Sequence, residues 1–136
     1  MLTLTHVDHT PEAEARIFDL LTQHAIRLGV PFETEHWIIE AHEDGEFFGG
    51  LSAIASKDFV FVSYLAVIEA AQGRGIGKQL LQALEDRAKE AGKKGVWLDT
   101  FAFQAPNYYP TLGYKEFGHL DDCHFGHGRT FFAKYF

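Results

Sequence analysis

The chain has 136 residues, enough for one core without disulfide or metal staples, and 46% of them are hydrophobic, well above the disordered range. Its formal charge of −7 argues against a nucleic-acid partner, because phosphate contacts need clustered Lys and Arg. The single cysteine, Cys123, excludes an intramolecular disulfide and suits a reducing cytoplasm; no apolar stretch is long enough for a membrane span, and the N-terminus lacks the features of a signal peptide.

Leu2 to Val7 alternates loosely and reads as a first strand. Thr10 makes a suitable helix N-cap, with Pro11 at the first helical position and Glu12 and Glu14 near the positive end of the helix dipole. Ile17, Leu20, Leu21 and Leu28 supply an apolar face, and Gly29 ends the helix. Val30 to Glu35 reads as a loop or a short helix. His36 to Ala41 and Glu46 to Ser56 are strands joined at Asp44-Gly45, a hairpin signal. Gly49-Gly50 inside the second strand marks a bulge or a close backbone approach.

After a turn at Ser56-Lys57-Asp58, Phe59 to Val67 is rich in β-branched and aromatic residues, as a buried strand requires. The run Gln72-Gly73-Arg74-Gly75-Ile76-Gly77-Lys78 follows, and then a helix with Ile76, Leu80, Leu84, Ala88 and Ala91 on one face, ending at Gly92. Glycines let a ligand approach the backbone, and a helix start offers N–H groups without intrahelical partners. A strand, a glycine loop and a helix in that order make an anion site, most often for phosphate. Gly95 to Phe101 is the next strand, parallel to the one before the loop. Pro106 opens a short helix that Gly113 terminates, and Tyr114 to Leu120 with Arg129 to Phe136 form a closing hairpin around a loop at Asp121 to His127.

Two phosphate loops fail on spacing. A Walker A loop needs Gly where Gln72 stands, and Ser or Thr where Gln79 follows Lys78. A dinucleotide fingerprint needs its third Gly where Lys78 stands. The order Gln72-x-x-Gly75-x-Gly77, after a strand ending Leu65-Ala66-Val67, instead resembles the acyl-CoA loop of the GNAT superfamily of N-acyltransferases. A second segment, Asn107-Tyr108-Tyr109-Pro110-Thr111-Leu112-Gly113-Tyr114, is similar to that family's aromatic-Tyr-x-x-x-Gly-aromatic motif, with one helix and one strand between the two. The resemblance covers Glu46 to the C-terminus; earlier residues share only a strand–helix–strand pattern.

The resemblance implies an α/β fold in a single acyl-CoA N-acyltransferase domain spanning residues 1–136. Its sheet would be mixed and mostly antiparallel, with six or seven strands, helices on both faces and a central parallel pair. The implied activity is transfer of an acetyl group from acetyl-CoA to a primary amine of a small molecule or peptide, by direct attack in a ternary complex. Backbone amides from Gly73 through Arg74, Gly75 and Ile76 to Gly77 would hold the pyrophosphate, with the Arg74 and Lys78 side chains reaching its phosphates. Gln72 belongs to the same loop, while Leu65, Ala66 and Val67 would pair with the pantetheine arm like an added strand.

Tyr109 falls on the family's tyrosine and would protonate the departing thiolate. The family's usual Glu before the loop is Phe61 here, leaving the base open among Glu33, Glu35, His36 or water, and its upstream Asn is Ala102, with Gln104 a candidate replacement on the cofactor. Those departures keep a second class in view, a catalytically degenerate CoA-binding, sensing or assembly module. Phe32, Glu33, Glu35 and His127 are candidate acceptor-site residues, the acidic ones suiting a cationic amine. Cys123, His124 and His127 together lack a fourth well-placed ligand, so no metal is expected. An exposed edge in the closing hairpin would allow a homodimer.

Overall fold

The structure, a computed structural model, describes residues 1–136 and divides into two units, Met1–Glu33 and Thr34–Phe136. The first contains one helix, α1 (Pro11–Arg27), whose start follows the sequence: Thr10 Oγ1 accepts from the Ala13 N–H at 3.0 Å, ahead of Pro11 and the first-turn Glu12 and Glu14. Gly29, at φ 75°, turns the chain out of the helix, and the Val30 N–H closes the end on the Ala25 carbonyl at 2.9 Å. Ile17, Leu20 and Leu21 stay exposed and Ala25 is the buried residue of this helix. The strand predicted at Leu2 to Val7 is absent: these residues pair with no neighbouring strand, and a lone strand leaves its backbone ladder unmade. Residues 30–34 are loop, without the short helix.

The second unit is a six-stranded sheet, ordered β1-β2-β3-β4-β6-β5. β1 (Glu35–Glu43) and β2 (Glu46–Ala55) form the expected hairpin, with Asp44 at φ 52° and Gly45 at φ 78° as its primed turn requires. The close approach expected at Gly49-Gly50 is real, since a Cβ on Gly49 would lie 2.5 Å from the Ala66 carbonyl oxygen. β3 (Phe59–Val67) and β4 (Gly95–Phe101) are the parallel pair, linked through α2 (Ile76–Glu90). Every other neighbouring pair is antiparallel.

Alternation along the strands sends Leu51, Ala53, Val60, Val62, Val96, Leu98 and Phe132 into one core with Leu80, Leu81, Leu84 and Ala88 of α2. Each buried Leu contributes about 2 kcal/mol by area, so α2 is held firmly along the sheet. The grip on β4 is narrower: β3 pairs with it only from Phe59↔Gly95 to Phe61↔Trp97, and beyond that the ladder stops.

Two predicted elements change. No α-helix begins at Pro106; a single 3₁₀ turn runs Tyr109–Leu112 and ends at Gly113, φ 91°. An α-helix from Pro106 would need an N–H at residue 110, and Pro110 has none. The closing hairpin is longer than predicted, β5 (Lys115–His124) with β6 (His127–Tyr135), turning at Phe125-Gly126. Asp121 to His124 therefore lies in strand rather than loop, although the register slips between Leu120 and His124. No helix is long and apolar enough to cross a membrane.

Candidate active site

Where β3 and β4 part, a cleft of about 780 Å³ opens. Leu65, Ala66 and Val67 line it from β3, and Gln72, Gly73, Gly75, Ile76 and Gly77 from the loop and the first turn of α2. Asp99 and Thr100 of β4 face these across the gap, followed by Phe103, Gln104, Ala105, Tyr108 and Tyr109. The cleft thus gathers Tyr109 and every expected cofactor residue except Arg74 and Lys78.

The loop end is built to present backbone. Gly75 is the N-cap of α2 in the left-handed region, φ 76°, and offers no side chain to satisfy the first helical N–H groups. A Cβ added at Gly73, Gly75 or Gly77 would meet no protein atom within 4 Å, so open space lies over these amides. No acidic residue occupies the first turn of α2. Free N–H groups, the helix dipole and open space together make an anion site.

Neither expected cation lines the cleft. Arg74 is ion-paired with Glu43, and its guanidinium lies 5.3 Å from the Phe48 ring centroid. Lys78 borders a separate hollow beside Glu85 and Lys134. Gln72 donates through Nε2 to the Val67 carbonyl at 3.3 Å, which ties the loop back to the end of β3. Gln104 Oε1 accepts from the Phe101 N–H at 2.7 Å and the Thr100 hydroxyl at 3.1 Å, fixing the turn that leaves β4.

Tyr109 is half-buried against Phe132, Tyr114 and Tyr108, with ring centroids 5.8, 6.1 and 5.6 Å away. Burial raises its pKa above 10, and the neighbouring Tyr108 and Asp99 raise it further, so the phenol is protonated at neutral pH. The turn carrying it is anchored from below. Lys134 Nζ donates to the Leu112 carbonyl at 3.1 Å and to Glu85 Oε1 at 2.8 Å, while the Tyr114 hydroxyl donates to Glu85 Oε2 at 2.9 Å. Gly113 lets the chain turn sharply between these two anchors.

At the position of the family's Glu, Phe61 packs on Trp97 with centroids 4.1 Å apart. This aromatic pair closes the narrow end of the gap and supplies no base. Among the acceptor candidates, Glu35 accepts from Trp37 Nε1 at 2.9 Å and, like the exposed His36, lies on β1 outside the cleft lining. Phe32 and Glu33 belong to the first unit, where Phe32 stacks on Phe18 at 5.9 Å. His127 meets the ring of Phe103 edge-on at 5.2 Å, and its carbonyl accepts from Cys123 Sγ at 3.6 Å.

Sequence reasoning passed over Asp99. It is the one charged residue lining the cleft, and it is gripped by Arg129 through Nε to Oδ1 at 2.9 Å and Nη2 to Oδ2 at 2.8 Å. The available signal was a carboxylate, the one charged residue of a mostly apolar strand, opposite in face to Val96, Leu98 and Thr100.

Comparison with known proteins agrees with this geometry. A family model described as Acetyltransferase (GNAT) family matches residues 3–114. The Agrobacterium fabrum protein named Acetyltransferase Atu2258 is 30% identical over 126 residues, 92% of either chain. The crystal structure of an acetyltransferase from Bacillus cereus ATCC 14579 superposes with a TM-score of 0.87 at 31% identity, covering 97% of this chain and 98% of that one. An aminoglycoside 6′-N-acetyltransferase crystallised with coenzyme A shares the fold at 18% identity and a TM-score of 0.67, over 98% and 97% of the two chains.

Proposed function

Because the chain belongs to the GNAT family of acetyltransferases, we propose that it transfers an acetyl group from acetyl-CoA to a primary amine of a small molecule or peptide, by direct attack. The observation that carries this reading is the single cleft running from the uncapped start of α2 to the protonated Tyr109, through the gap between two parallel strands. The coenzyme A bound by the aminoglycoside acetyltransferase of the same fold supports the choice of cofactor.

Amides of the Gly73–Gly77 loop bind the pyrophosphate, and the free edge of β3 at Leu65 to Val67 receives the pantetheine arm. The thioester then lies in the gap, where the banks of β3 and β4 orient it toward an incoming nitrogen. The C–N bond forms as the C–S bond breaks. The proton shed by the nitrogen ends on the sulfur by way of the Tyr109 hydroxyl, which gives one proton and takes one back. A raised phenol pKa keeps that donor in place, and its hydrogen bond stabilises charge on sulfur as it leaves. The free surface thiol of Cys123 suits a reducing, cytoplasmic setting.

Thermal unfolding with and without ligand tests the cofactor. Millimolar acetyl-CoA is expected to raise the unfolding midpoint while ATP and NAD leave it unchanged. Absence of protection by acetyl-CoA overturns the assignment. Release of free thiol from acetyl-CoA with pooled amines, peptides and polyamines then tests the transfer.

A further inference from the structure

Charge in the cleft is one-sided. Asp99 is the lone charged residue of its lining, while the free N–H groups belong to the glycine loop and the start of α2. An anionic cofactor seated on those amides gains nothing from a carboxylate in the same cleft. The carboxylate instead matches whatever shares the cleft with that cofactor.

Its placement is well defined. Asp99 stands two residues beyond Trp97, the last residue of β4 paired to β3, and therefore where the gap has opened. Arg129 lies outside the lining and approaches as a fork, one N–H to each oxygen at 2.9 and 2.8 Å. A carboxylate offers about four acceptor sites, so the fork fixes the group's orientation and leaves one site on each oxygen. The Asp99 side chain is 13% exposed, screened enough for a charge contact to count and open enough to be reached.

The surroundings are aromatic. Phe101 and Phe103 stack with centroids 5.5 Å apart and planes 9° apart. Arg129 lies over both Phe101 and Phe131, at 5.4 and 5.1 Å, which holds the guanidinium in place behind the carboxylate.

We propose that Asp99 is the anchor of the acceptor: its carboxylate takes the amine in its ammonium form, which gives one proton to solvent water before the freed lone pair attacks and its second to sulfur through Tyr109; Arg129 is its positioning residue, and Phe101 with Phe103 forms the wall for an apolar or aromatic group beside that charge. This rests on transfer to an amine and deepens it, naming cationic amines with an apolar flank as the favoured class. An acceptor carrying a carboxylate next to its amine is disfavoured, because it would face Asp99 as a like charge.

Steady-state thiol release from acetyl-CoA tests the anchor, with tyramine and spermidine as cationic acceptors and aniline as an uncharged one. In Asp99→Asn the KM for tyramine is expected to rise about tenfold or more, with the KM values for acetyl-CoA and for aniline within about twofold of wild type. A tyramine KM that does not move, or that rises in step with that of aniline, overturns the anchor. The double variant Asp99→Asn/Arg129→Gln, which leaves no unpaired charge, is expected to keep protection by acetyl-CoA and the same loss toward tyramine. If that double variant regains wild-type KM, the effect came from a stranded Arg129 and the anchor is wrong. Wild-type protein protected by acetyl-CoA but releasing no thiol with any amine overturns the transfer reading itself, and the anchor with it.

Discussion

β6 carries a cation toward each face of the sheet, and the two have opposite uses. Lys134 reaches toward α2 and meets Glu85, whose side chain is 4% exposed; Arg129 reaches the other way and meets Asp99 at the cleft. Glu85 has both oxygens engaged, one by Lys134 and one by the Tyr114 hydroxyl, and Lys134 also holds the Leu112 carbonyl. That pair joins α2, β6 and the Tyr109 turn, and both its oxygens already have partners within the protein. Asp99 has one partner residue and an open side. The lesson is that an ion pair almost sealed from solvent between packed elements acts as a joint, and one whose remaining acceptor sites face a cleft can act as a binding group.

Lys134→Met separates the two roles most sharply. It strands Glu85 in the core, and loss of one partner of a buried pair costs about 3–5 kcal/mol. Urea unfolding should show that loss in the variant, with Tyr109 activity falling only through the disturbed turn. A cost below about 1 kcal/mol would make the pair no more than a surface bridge and would end the contrast with Asp99.

Tyr109→Phe is next in size and acts on the chemistry alone. Turnover should fall about 10²-fold, as for a lost general acid, while unfolding and acetyl-CoA protection stay as in wild type. Full turnover in this variant removes the donor role and leaves the cofactor site untouched.

Tyr114→Phe has the smallest effect. It leaves Glu85 Oε2 without its partner and should cost about 1–3 kcal/mol. Burial, and then Glu85, hold the Tyr114 pKa far above 10, so the folded protein keeps this proton longer than the unfolded chain does. The resulting stability is complete below the unfolded value of about 10 and is lost as pH rises toward the folded one. Unfolding measured from about pH 8 to 11 should therefore fall less steeply in Tyr114→Phe than in wild type, with Tyr109 keeping part of the slope. An unchanged slope would show that Tyr114 is not the group whose ionisation the fold resists.

Much of the site was written in local chemistry. The glycine order from Gln72 to Gly77, the apolar face of α2 and the Tyr109–Gly113 spacing each depend on residues close in sequence, and the structure brings the glycine loop and Tyr109 to one cleft. Turn chemistry was equally local, as Asp44-Gly45 and Gly29 show. The failures were of another kind. Leu2 to Val7 has an acceptable strand pattern, but a strand forms only where a neighbour supplies the ladder, and none does. The partner that Arg74 meets in the fold, Glu43, lies 31 positions away and could not be read from its neighbours.

Asp99 is the clearest case. In the sequence it is one carboxylate in a short strand, equivalent to Glu40 or Glu46. Its setting comes from three long-range facts: β4 leaves β3 after Trp97, Arg129 arrives 30 positions later to fix both oxygens, and the same cleft holds the uncapped start of α2. Sequence by itself determined which segments bend, pair and offer free N–H groups, because those properties are set by backbone and nearest neighbours. Which side chains face one another across the gap, and therefore which charge an acceptor would meet, was decided only when the sheet order placed β6 beside β4.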